Sequence, residues 1–332
     1  MRNPTFDILK GIGIIAVVVG HSAAPHLLKD FIFIWHMPLF FLVSGYFFRV
    51  KPFGEALRGN ARGLLVPYVV TAFLLFLLAA CQSVAKGDMS MALNSFLGIF
   101  VGAGSHGLPN FGDYNVGAIW FLLAMFWCRL LYGVLASKLS VKFLGGVALS
   151  LFVSTVYVGR VLFAPTDLLQ GLNAMLFFFL GHVSGSVRLA DRPFAWPVGV
   201  LAVAAVAASM YLNPADDYPI SMVRCFYCCW PLNVVAAALC TYCLYHIAKR
   251  VSLLPRFAEF LAYFGRCSLL VLCVHIVGIN YVGKVLGFVI NHYLTLQHWQ
   301  ESAAFVCFDL AFALVGAYVL AQSRFLRQHF KL

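Results

Sequence analysis

Residues 7–22, Asp-Ile-Leu-Lys-Gly-Ile-Gly-Ile-Ile-Ala-Val-Val-Val-Gly-His-Ser, and residues 35–48, Trp-His-Met-Pro-Leu-Phe-Phe-Leu-Val-Ser-Gly-Tyr-Phe-Phe, decide the fold. Both are apolar runs, and each carries a histidine that is costly inside hydrocarbon. Lys10 and His21 lie eleven residues apart in the first run. At about 100° per residue this is about 20° past three full turns, so both side chains leave one helical face. A rise of about 1.5 Å per residue separates them by roughly 16 Å along the axis. The first run therefore reads as a membrane helix with a fixed cation near one end and a titratable imidazole near the other.

The same pattern runs through the whole chain of 332 residues, which is 62% hydrophobic and only 11% charged, with mean hydropathy +0.90. Soluble domains carry about 25% charged residues, so a water-soluble globule is excluded. Apolar segments of about twenty residues recur throughout, the mark of a polytopic helical membrane protein. The first run keeps Lys10 and His21 and lacks a small-residue cleavage site, so it reads as a retained helix and not a signal peptide.

Ten spans are expected, at residues 7–24, 31–49, 63–85, 116–137, 140–159, 167–187, 194–212, 224–247, 265–283 and 301–321. With the N-terminus in the cytoplasm, seventeen of the 23 Lys and Arg residues fall on the inner side and five on the outer, and Arg129 lies within a span. That bias fits the positive-inside rule and places both termini in the cytoplasm. It also explains the formal charge of +11 without nucleic acid, because no block of five or six basic residues occurs. The expected architecture is an all-α bundle of about ten transmembrane helices, forming one domain over residues 1–332.

Between the third and fourth spans, residues 86–115 form the longest external connection, rich in Gly, Ser and Asn, with residues 89–101 apolar enough for a short surface helix. Phe111 and Tyr114 in it are aromatic rings able to stack on a sugar. Four of the ten cysteines, Cys225, Cys228, Cys240 and Cys243, have a spacing that zinc sites use. They sit in or beside one apolar helix with few polar neighbours, and are read as buried thiols, with no metal expected.

Ionisable residues inside the membrane are functional candidates. His21 and His36 should lie at similar depth near the outer ends of sequence-adjacent helices, and His275 and Asp309 near the middle of theirs. Asp7 stands one turn before Lys10 and positions it. Pro38 is expected to break the second span just after His36, and Gly45 to allow close helix approach.

These residues fall into motifs that resemble acyltransferase family 3, polytopic bacterial enzymes that O-acylate envelope carbohydrates. Asp7-x-x-Lys10, ten residues and then His21 is similar to the first-helix signature of that family. His36-Met-Pro-Leu-Phe-Phe-Leu-Val-Ser-Gly-Tyr46 resembles its second-helix motif. Arg62-Gly-Leu-Leu-Val-Pro-Tyr68, Ile119-Trp-Phe-Leu122 and Gly265-Arg-Cys-Ser-Leu269 with His275 resemble its later ones. Lys10 stands where many members have arginine, and Gly63 precedes Leu-Leu where a basic residue is common.

The resemblance implies a multi-pass protein of the bacterial cytoplasmic membrane with no permanently bound cofactor. Its donor would be a cytoplasmic acyl-coenzyme A, usually acetyl, and its acceptor a carbohydrate hydroxyl. Within that chemistry Lys10, Arg58, Arg62 and Arg129 are the cations available to the nucleotide phosphates. His21 is the expected general base, since neutral imidazole is the competent form. His36 and Trp120 are expected oxyanion donors, and Ser44, Tyr46, Trp120 and His275 line or support the pocket. The rival from another class is a proton-coupled transporter or exporter relaying protons through intramembrane His and Asp309. No internal repeat supports it.

Overall fold

Asn3 begins the first helix by accepting the Thr5 backbone N–H on its side-chain oxygen, 3.0 Å away, and Pro4 opens the first turn where its missing N–H costs nothing. This helix, α1, runs Pro4–His21 without interruption, so Lys10 and His21 share one rigid rod. The computed structural model describes residues 3–104, 114–214, 217–293 and 297–324. Arg2, Arg327 and Lys331 of the inner basic set, and Ser105, Gly107, Asn110, Phe111 and Gly112 of the outer connection, lie outside the described residues.

Helices follow as α2 His26–Tyr46, α3 Phe53–Asn60, α4 Val66–Lys86, α5 Ser90–Val101, α6 Trp120–Ala136, α7 Val141–Val158 and α8 Leu168–Ser186. Then come α9 Trp196–Tyr211, α10 Trp230–Val251, α11 Pro255–Arg266, α12 Ser268–Val277, α13 Gly283–Tyr293 and α14 His298–Leu320. Residues Ile220–Ser221 (β1) and Phe226–Tyr227 (β2) pair as a short antiparallel ribbon. Among the described residues nine helical segments are long and apolar enough to cross a membrane. The expected seventh span is the shorter α9, 16 residues. The protein is a polytopic helical membrane bundle.

Four expectations need correction or refinement. α2 runs unbroken through Pro38: the proline forfeits one backbone bond, a loss membrane helices tolerate. The helix that carries the third span begins earlier, at Phe53, because the polar α3 and the apolar α4 are joined by a π-helical turn at Ala61–Leu65. Pro67 lacks an N–H and crowds the carbonyl four residues back, and a widened turn just before it absorbs that conflict. The eighth span starts at Trp230, not 224, since Cys225 holds a left-handed φ of 50° inside the β1–β2 turn. The ninth joins two elements: α11 stops at Arg266, and a separate apolar stretch begins at Ser268 and continues past a second π turn at Gly278–Val282.

The chain packs as two units, one of residues 1–40, 192–219 and 228–332, the other of 41–191 and 220–227. In the first, α1 is surrounded by α10, α11, α12 and α14. Gly11 and Gly265 let α1 and α11 meet backbone to backbone. A Cβ at Gly265 would overlap the Asp7 carbonyl oxygen, and one at Gly11 the Leu261 carbonyl. Gly13 and Gly20 receive Leu39, Phe40, Ile32 and Phe33 of α2. In the second unit, α8 packs on α6 and α7, α6 on α3 and the first π turn, and α4 on α5. There Gly45 meets the Phe178 carbonyl, and Gly181 and Gly185 meet those of Leu42 and Tyr46, the close approach expected of Gly45.

Candidate active site

Three histidines converge in the first unit. The His21 ring centroid lies 6.2 Å from that of His36 and 5.8 Å from that of His275. His21 ends α1 and is half-buried, while His36 and His275 are 2% and 1% exposed. α2 delivers His36 because Gly20 lets Ile32 and Phe33 close on α1. α12 delivers His275 because it packs directly on α1.

Backbone carbonyls fix two of the three tautomers. His36 Nδ1 is 2.9 Å from the Ile32 carbonyl, and His275 Nδ1 is 2.6 Å from that of Leu272. A carbonyl only accepts, so each Nδ1 donates, and in the neutral ring each Nε2 carries a lone pair. The His275 Nε2 is buried and has no hydrogen-bond partner. Neutral His36 therefore has no N–H left to serve as an oxyanion donor, which removes it from the role expected above. Among the described residues no three His, Cys, Asp or Glu side chains are grouped as metal ligands.

Toward the start of α2, Phe33 touches both His21 (5.7 Å between centroids) and His36 (4.7 Å). Tyr218 lies flat on Phe33 at 3.9 Å, and His26 stacks on Tyr218 at 5.7 Å. His26 is also paired through Nδ1 with Asp30, 2.9 Å away. Burial, helped by the Asp30 and Asp217 carboxylates, pushes the Tyr218 phenol above its ordinary range. Tyr218 therefore stays a neutral hydroxyl. It comes from the segment after α9, with no signal in the local sequence pattern to mark it.

At the other end of α1, Lys10 Nζ is 2.8 Å from Asp7 Oδ1, the pairing expected one turn apart. Lys10 keeps 24% of its side chain exposed. Ile14 and Val17, on the face shared by Lys10 and His21, are covered, at 2% and 1% exposure. The first unit thus brings together His21, His36 and His275, with Asp7 and Lys10 farther along α1.

The remaining expected residues belong to the second unit. Arg58, Arg62 and Arg129 are all exposed, on three segments that pack together, α3, the first π turn and α6. Among the described residues none of the three has a carboxylate partner. Ser44 is half-buried. Tyr46 is hydrogen-bonded to the Ala190 backbone. Trp120 is buried at the start of α6 and fills the space beside Gly104, where a Cβ would clash with it.

A family model described as an acyltransferase domain, acyltransferase family 3, matches residues 3–322. The chain belongs to acyltransferase family 3. The match runs from the cap of α1 to the residues just past α14, so both units of this membrane acyltransferase lie within it. No curated protein and no solved structure matches the acyltransferase significantly.

Proposed function

We propose that this membrane acyltransferase moves an acyl group, in the first instance acetyl, from cytoplasmic acyl-coenzyme A to a hydroxyl of an envelope or secreted carbohydrate, with His21 as general base. The observation that carries the reading is the placement of His21. It is the half-buried member of a buried histidine trio, on the same rigid helix as Lys10 and roughly 16 Å from it.

The acceptor hydroxyl attacks the thioester carbonyl as its proton passes to His21, and the departing coenzyme A thiolate takes that proton back. For His21 to act, one ring nitrogen must hold a free lone pair while the other N–H is anchored. The buried lone pair on His275 Nε2, in the ring 5.8 Å from His21, suits that anchoring. His275 is then a positioning residue, as the carboxylate is in a Ser-His-Asp triad. His275→Gln keeps an acceptor near the Nε2 position and an N–H for Leu272, whereas His275→Leu keeps neither. The expected outcome is a fall in kcat of about tenfold or less for Gln and about 10²-fold for Leu, with KM unchanged in both. Equal losses in the two variants would mean that His275 only fills space.

The phosphates of the donor need cations. Arg58, Arg62 and Arg129, which among the described residues have no carboxylate partner, are the cations the second unit offers, and Lys10 is the one the first unit offers. Because Ile14 and Val17 are covered, the donor arm reaches His21 only where neighbouring side chains part. Lys10→Ala should raise KM for the donor more than it lowers kcat. Arg58→Gln with Arg62→Gln, at exposed positions, should raise KM about tenfold with stability changed by less than about 0.5 kcal/mol. Steady-state kinetics in acetyl-coenzyme A check both, and a fall confined to kcat would contradict a ground-state phosphate contact.

The experiment that tests the function is a comparison of acetyl ester content in envelope glycans of the native host with and without this chain. Identical content in the two strains would rule out envelope glycan as the acceptor.

A further inference from the structure

We propose that Lys29 is a catalytic cation of this site, stabilising the oxyanion that forms when the thioester carbonyl is attacked. The proposal rests on the acyltransferase reading of His21. Residues 29, 33 and 36 of α2 stand at i, i+4 and i+7, one face of the helix. Two of the three are already placed against His21, with Phe33 at 5.7 Å and His36 at 6.2 Å between ring centroids. Gly20, the residue before His21, meets Ile32 and Phe33 directly. Lys29 extends that face by one turn toward the start of α2.

The other charged or N–H donors around His21 are spent, and the Tyr218 hydroxyl, which lies across Phe33, carries no charge. The N–H groups of neutral His36 and His275 go to the Ile32 and Leu272 carbonyls. The Ser22 hydroxyl goes to the Val19 carbonyl, 2.9 Å away. Phe33 has none. Lys29 carries three N–H donors and no acceptor, is half-buried, and among the described residues has no carboxylate partner. The neighbouring Asp30 carboxylate pairs with His26 instead. An ammonium with no carboxylate partner among the described residues, on the helix face that meets the base, is what a developing oxyanion requires.

The step balances. The acceptor oxygen bonds to the thioester carbon and its proton moves to His21. The carbonyl π pair moves onto oxygen, facing Lys29. The oxyanion then reforms the carbonyl, the carbon–sulfur bond breaks, and the thiolate leaves with the proton from His21.

The test uses the purified full chain in lipid nanodiscs with acetyl-coenzyme A as donor and water as acceptor, reading release of the coenzyme A thiol. Lys29→Met is expected to lower kcat by about 10²-fold or more, the size of a lost oxyanion donor, with KM for the donor within about twofold of wild type. Lys29→Arg, which keeps the charge, should recover at least about tenfold of that loss. Leu27→Ala, at a 71% exposed position of the same helix, should stay within about fivefold of wild type. Should Lys29→Met fail to fold, Lys29→Gln keeps the polarity without the charge and carries the same expectation. A wild-type-like kcat in the Met or Gln variant, or a loss seen only in KM, overturns the proposal. When His21→Ala is inactive and Lys29→Met is normal, Lys29 alone is refuted. When the wild type itself releases no thiol with water or with any carbohydrate acceptor supplied, the acyltransferase reading of the His21 site falls as well.

Discussion

Replacing His21 by alanine is expected to lower acyl transfer by about 10³-fold, near the middle of the range for loss of a positioned general base. The protein should remain inserted and folded. His21 closes the last turn of α1, is half-buried, and the backbone N–H of Ser22 already caps that turn by bonding to the Val18 and Val19 carbonyls. Removing the imidazole therefore deletes no helix cap and leaves a space beside Phe33, His36 and His275. His36 does not take over the chemistry, because its ring is 2% exposed and is closed off from an acceptor. The measurement is acetyl ester content of envelope glycans in a host lacking the chromosomal copy, complemented by wild-type or His21→Ala protein at equal membrane abundance. Full restoration by the variant would take His21 out of the mechanism.

The second large effect is structural. Gly265→Ala is expected to destabilise the protein by about 3 kcal/mol or more, the upper end for forcing volume into a close-packed contact. A methyl there would overlap the Asp7 carbonyl oxygen and crowd the Gly11 backbone nitrogen. These are main-chain atoms of a helix and cannot rotate away as a side chain does. α11 would have to lift from α1, against which it makes its main packing contact, and α1 carries Asp7, Lys10 and His21. Stability and activity should therefore fall together. Gly59→Ala is the matched control: a Cβ there meets nothing within 4 Å, and in a helix Ala is favoured over Gly by about 1 kcal/mol. Thermal unfolding in one detergent would read both. A Gly265→Ala protein as stable as wild type would mean that α1 and α11 are farther apart than described.

Much of this was legible in the chain itself, for physical reasons. His21 and His36 stand out because they are polar in apolar runs, and Lys10 because helical periodicity puts it in line with His21. The order of the long apolar helices follows from hydropathy. What periodicity does not carry is convergence in space. Nothing near His275 says that α12 will press against α1, or that the Leu272 carbonyl will fix its tautomer. Tyr218 and Phe33 meet through tertiary packing between distant segments. Pro38 was expected to break α2 because proline does so in water, yet neighbouring helices hold it continuous. Gly265 was visible as a motif position, and its reason, the backbone contact with Asp7, needed the packed structure. The two-element nature of the ninth span was hidden because α11 and α12 adjoin at Cys267 without an intervening polar loop.

The central claim is that His21 takes the proton as an acyl group leaves coenzyme A. It is tested most directly by mixing purified wild-type and His21→Ala protein, each in lipid nanodiscs, with acetyl-coenzyme A and following thiol release. Steady turnover by the wild type and a rate about 10³-fold lower for the variant, at equal thermal stability, is the result predicted. Equal rates for the two proteins, or no thiol released by the wild type with any acceptor supplied, would contradict it.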